Sequence, residues 1–134
     1  MEAVKSFVVA LGVMAVFDGI WLGLVAQKFY KKYIGFIMTD NTAWWAAILF
    51  YFIYTVAVTF FVVYPGWKGN KSLLEIAGYG ALFGFAAYAT YDLTNQATLK
   101  NWPITVTFVD LLWGTVLTAS VSVLSVIILR AIGK

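Results

Sequence analysis

The sequence has no cysteine and no histidine. The first absence removes disulfides, thiolate metal sites, iron–sulfur clusters and cysteine nucleophiles. The second removes histidine zinc sites, an imidazole proton shuttle and a Ser-His-Asp triad. Charge is scarce: 11% of the 134 residues are charged, against about 25% in ordinary soluble domains. Proline occurs only at Pro65 and Pro103, so little interrupts a helix. Apolar residues fill the space instead, with 63% hydrophobic and 19% aromatic. That composition excludes a water-soluble globule and a long disordered chain. The net charge of +3 is scattered along the chain. No basic polar face exists, so a nucleic-acid partner is excluded.

Four apolar stretches are long enough to cross a bilayer, which takes about 20 helical residues. They run over about 4–26, 43–64, 73–93 and 104–129. None alternates as a barrel strand would. The first contains Asp18 and exceeds a leader peptide in length, so it reads as a span. The expected fold is all-α: an integral membrane four-helix bundle forming one transmembrane domain, 1–134. Between spans 1 and 2, Lys28, Lys31 and Lys32 share one helical face, with Tyr30, Tyr33, Ile34 and Ile37 on another. This pattern predicts a short interfacial amphipathic helix. Trp44, Trp45, Trp67 and Trp102 stand at span ends, where indoles anchor helices at the membrane surface. Gly12, Gly19 and Gly23, then Gly80 and Gly84, then Gly114, Thr118 and Ser122 mark candidate close-packing faces.

An even number of spans puts both termini on one side. Lys5, Lys68, Lys71, Arg130 and Lys134 lie there, against Lys28, Lys31, Lys32 and Lys100 opposite. The balance leans to cytoplasmic termini, and the expected location is the inner membrane.

Three aspartates interrupt this apolar background: Asp18, Asp92 and Asp110. At helical rise Asp18 is about 12 Å from the end of its span and Asp110 about 9 Å from the start of its own. Each such carboxylate costs about 2.5–3.5 kcal/mol on insertion scales. Helix direction alternates, so all three fall toward the side of loops one and three. No span interior offers a Lys or Arg to balance them. A bound proton, a bound cation or local water must then do so. Asp18 and Asp110 share a further pattern, each followed at +3 by an indole, Trp21 and Trp113. Tyr88, Tyr91 and Asn95 surround Asp92 on its helix, one turn apart or less. These residues form the expected pocket lining, with the three carboxylates as cation or proton ligands. The sequence names no cofactor and no metal-ligand set.

FDGIWLG, YGALFGFAAYATYDLTNQAT and DLLWG resemble segments of the bacterial membrane family DUF2177, over nearly the whole chain. The resemblance implies a small bacterial four-span membrane protein. It assigns no catalytic or transport residue.

Three functions compete. An acidic, aromatic pocket suits a proton- or cation-coupled transporter or binding protein for a small organic or cationic solute, with a homodimer enlarging the cavity. Paired carboxylates could also serve a membrane enzyme acting on a lipid or isoprenoid, though no nucleophile–base pair or metal signature is evident. The small-residue faces would suit a non-catalytic partner subunit. The bilayer is a partner in all three.

Overall fold

The computed structural model describes residues 1–133; Lys134, counted in the charge balance above, lies outside them. Helix α1 spans Glu2–Trp21, α2 Gln27–Ile34, α3 Trp44–Val58, α4 Tyr64–Lys68, α5 Leu73–Thr98 and α6 Ile104–Ile132. A π-helical turn, Leu22–Ala26, joins α1 to α2, and another, Thr59–Val63, joins α3 to α4. Four continuous helical segments result, each long and apolar enough to cross a membrane: Glu2–Ile37, Trp44–Lys68, Leu73–Thr98 and Ile104–Ile132.

The pattern of burial is that of a protein built for lipid. Ser6, Thr55, Thr107, Thr118, Ser122 and Ser125 are buried. Ile48, Phe52, Phe60, Phe61, Leu82 and Leu112 face outward. In water this distribution would present far more apolar surface than a soluble monomer tolerates. In a bilayer the outward side chains are solvated by acyl chains, while small hydroxyl residues let helices approach.

α6 is the centre of the bundle, and α5 runs along it as its closest partner. The sequence explains the intimacy. A Cβ on Gly84 would overlap the Gly114 carbonyl, and one on Gly80 would stand 2.8 Å from Ser122 Oγ. The glycines of the first span differ from expectation: Gly12 and Gly19 of α1 and Gly23 of the π turn have nothing within 4 Å of an added Cβ. Their spacing is that of a packing face, but α1 turns Ala10, Met14 and Asp18 inward instead.

Three boundaries also differ. α5 runs on to Thr98, carrying Asp92 and Asn95 on regular helix, where the apolar run alone ends near residue 93. The second turn is shorter than its Pro and Gly content predicts, because Pro65 sits at the start of α4. The amphipathic segment is present as α2, but it runs on from α1 through the π turn instead of standing apart. One extra residue in a helical turn rotates the next stretch of helix by about 100°. The rotated α2 sets Ile34 against Trp102 and Val106 and leaves Lys28, Lys31 and Lys32 exposed.

Candidate functional site

Asp92 is fully buried, Asp110 is 5% exposed and Asp18 6%. Each is placed by a different helix, and no two have the same surroundings. The Tyr51 hydroxyl of α3 donates to Asp18 Oδ2. The Tyr30 hydroxyl of α2 donates to Asp110 Oδ1. Asp92 of α5 lies next to Asp110 of α6, carboxyl toward carboxyl, and neither of its oxygens has a well-formed hydrogen bond.

The three carboxyls therefore form a pair and a single group. No cluster of three acidic side chains able to hold one metal ion exists among the described residues. Tyr88 of α5 connects the two parts, within electrostatic reach of both Asp18 and Asp110. Gly114 makes room for it: a Cβ there would overlap the Tyr88 ring.

The two Asp-x-x-Trp patterns meet, and they cross. Trp21 and Trp113 stack face to face, with centroids 4.4 Å apart and planes 11° from parallel. The Trp113 indole approaches Asp18 on the opposite helix, though its N–H makes no well-formed bond. Trp21 approaches Tyr30, the residue that holds Asp110. Each indole thus leans toward the other helix's carboxylate, Trp113 directly and Trp21 by way of Tyr30. The +3 spacing fixes the level of the stack, while partner choice is set between helices.

Beside the carboxyl pair lies a cavity of about 480 Å³. Its wall is made by Tyr30 and Ile34 of α2, Met38 from the loop before α3, Phe50 and Tyr54 of α3, Ala87, Tyr88 and Tyr91 of α5, and Trp102, Val106 and Asp110. Of the residues singled out from the sequence, Tyr88, Tyr91 and Asp110 line it. Asp18, Trp21, Asp92 and Trp113 stand behind the wall, and Asn95 lies beside Tyr91 without reaching the cavity.

Asp110 is the one charged residue among the described residues of this wall. Much of the remaining polarity is satisfied within the protein. Tyr54 Oη pairs with Thr118 Oγ1 at 2.7 Å. The Trp102 indole donates to Thr107 Oγ1 at 3.0 Å, which donates to Gln96 Oε1 at 2.9 Å. Gln96 Nε2 closes the ring on the Trp102 carbonyl at 3.0 Å. Trp102 is thus a buried wall element, not the surface anchor its place at a span end implies. Tyr51, Tyr30 and Trp102 escape sequence reasoning. The signal for Tyr30 was its place on the apolar face of α2; Tyr51, within an all-apolar span, carried none.

Over residues 3–127 the chain matches the family described as predicted membrane protein (DUF2177). No curated protein and no solved structure matches it.

Proposed function

Because the chain belongs to the DUF2177 family and is an integral, multi-pass membrane protein, its buried charges face a medium without water, and we propose that it is a small proton-coupled carrier or binding protein for organic cations. The observation that carries this reading is the Asp92–Asp110 pair at the wall of an aromatic cavity, with no basic side chain among the described residues that line it. Two carboxylates in contact in a low-dielectric site repel, so a single proton between them is the stable resting arrangement. A cation entering the cavity supplies the same charge and releases that proton. Aromatic faces add attraction for a cation of low hydration.

Asp110 is the cation ligand and Asp92 its proton-sharing partner. Asp18, held by Tyr51, sets the charge behind Tyr88. Tyr91 borders the cavity mouth with Asn95 beside it, and the Trp21–Trp113 stack fixes the spacing of α1 and α6. The protein acts in the inner membrane as one transmembrane domain with cytoplasmic termini, an orientation supported by the small excess of lysine and arginine at that end.

The titratable groups facing the pair are Tyr30 from α2, Tyr88 and Tyr91 from α5, and Asp18 from α1 beyond Tyr88. The pair is the part of this set that meets the ligand, so it dominates the pH response, and Asp18 modulates it from beyond Tyr88. Proton and cation compete, and binding weakens as pH falls, by up to about tenfold per unit. The test is equilibrium binding of tetramethylammonium, whose own charge never titrates, to reconstituted protein across mildly acidic to mildly alkaline pH. Wild type binds more tightly at higher pH and Asp110→Asn loses binding. Binding that ignores both pH and the substitution contradicts the reading.

A further inference from the structure

The cavity's mouth and wall chemistry narrow what it holds. Asp92, fully buried with both oxygens unpartnered, is aimed at Asp110 in the wall. This is a built acidic site with one outward-facing carboxylate. The wall around it is aromatic and aliphatic, and the Tyr54 hydroxyl and Trp102 indole N–H are engaged by Thr118 and Thr107. A sugar, nucleotide or peptide would leave its many donors and acceptors unsatisfied here, at the cost that accompanies any unpaired buried polar group. An anion would meet two carboxyls and no cation. What remains is one positive charge on an apolar body.

The route in has its own signature. Met38, Phe50 and Tyr91 border the cavity and stay about half exposed. α3 and α5 meet through Tyr54 against the Phe83 and Tyr88 rings, and the half-exposed cavity residues of the same two helices, Phe50 and Tyr91, mark the opening between them. Phe50 lies about 9 Å along α3 from Trp44, Tyr91 about 10 Å from the end of α5, and Asp110 about 9 Å into α6. The mouth and the carboxylate are therefore level with each other and below the helix ends. Trp44 and Trp45 are exposed at the start of α3, where indoles hold a helix end at the headgroups. An opening at that depth faces acyl chains.

We infer that the ligand is a lipid-soluble monocation, an ammonium group on an apolar body, which reaches Asp110 sideways from the bilayer between α3 and α5. This rests on the cation reading above and adds to it the ligand's chemistry and its path. The ammonium seats on the free oxygen of Asp110, whose other oxygen is held by Tyr30, with Tyr88 and Tyr91 offering ring faces. The body fills the space toward Ile34 and Phe50.

The experiment uses the whole protein in vesicles and a series of alkyltrimethylammonium ions, from tetramethyl to decyl, below their micelle concentrations. Decanol is the neutral control, and uptake by protein-free vesicles is subtracted. Saturable binding, referred to the aqueous concentration, should strengthen about threefold to fourfold per methylene until the body fills the cavity. Decanol should not compete. Asp110→Asn should lose the saturable component. Tyr30→Phe, which keeps the carboxylate and removes its internal donor, should tighten binding severalfold and guards against a misfolded Asp110→Asn. Phe50→Trp should slow association of the decyl ion severalfold more than that of tetramethylammonium.

Tetramethylammonium binding with normal pH dependence but no effect of tail length overturns this inference and leaves the cation reading standing. Equal slowing of short and long ions by Phe50→Trp overturns the sideways path. Saturable decyl binding that survives Asp110→Asn overturns the charge anchor. No saturable binding by any member overturns both this inference and the reading it rests on.

Discussion

The two ends of this bundle are built on opposite principles. At the end that carries the termini, the charged side chains Arg130, Lys68 and Glu2 find partners inside the protein. Arg130 donates from α6 to the carbonyls of Lys71, at 2.5 Å, and Gly66, at 3.4 Å. Ser72 caps α5 by accepting from the Glu75 amide at 3.1 Å. Lys68 pairs with Glu2 at 2.8 Å and stands over the Trp67 ring. Gly66 packs so closely that an added Cβ would lie 2.8 Å from Ile76 Cγ1. At the other end the helices part around a 480 Å³ cavity, and Asp92 has no partner but another carboxyl. One end closes its charge within the chain, and its cleft, lined by Val4, Phe7, Val56, Thr59, Phe60 and Tyr64, holds no charged residue among those described. The other leaves charge open beside its cavity, and that is where a ligand can contribute.

Substitutions at each end should therefore move different quantities. Gly66→Val forces a methyl-sized overlap at the closed end and should cost about 3 kcal/mol of stability, read by denaturation in mild detergent. Arg130→Met leaves two carbonyls without their donor and should cost about 1–3 kcal/mol, with cation binding per folded molecule unchanged. Asp110→Asn should do the reverse, removing ligand binding while the unfolding midpoint holds or rises, since a buried unbalanced charge is lost. A fall in midpoint as large as that of Gly66→Val would erase the distinction between the ends. Tyr51→Phe, which takes the donor from Asp18, should cost about 1 kcal/mol and alter the pH profile of binding. Ser125→Ala removes a buried hydroxyl that has no partner and should change stability by no more than about 0.5 kcal/mol.

Much of the closed end and of the spans was legible in the sequence. The four apolar runs and the Gly80/Gly84 face follow from composition and period, because each depends on residues near one another in the chain. The open end was legible only in its acidic residues. Asp18 and Asp110 stand out because each costs as much as about six outward apolar side chains return on insertion scales. Their donors do not stand out. Tyr30 reaches Asp110 because a π turn adds one residue to the rotation of the helix, a change of register that leaves no mark on hydrophobic period. Trp102 has the neighbours of a surface anchor and is buried only because α2 folds over it. Gly19 and Gly23 carry a packing motif with no partner, since a motif describes one helix and a packed face takes two.

The central claim is that the Asp92–Asp110 pair is balanced by something exchangeable. It is tested most directly by counting protons as the cation binds. In a weakly buffered suspension of reconstituted wild-type protein near neutral pH, saturation with decyltrimethylammonium should release about one proton per bound cation. Asp92→Asn should release almost none while still binding. Binding with no proton release in wild type, or equal release from wild type and Asp92→Asn, would contradict the account.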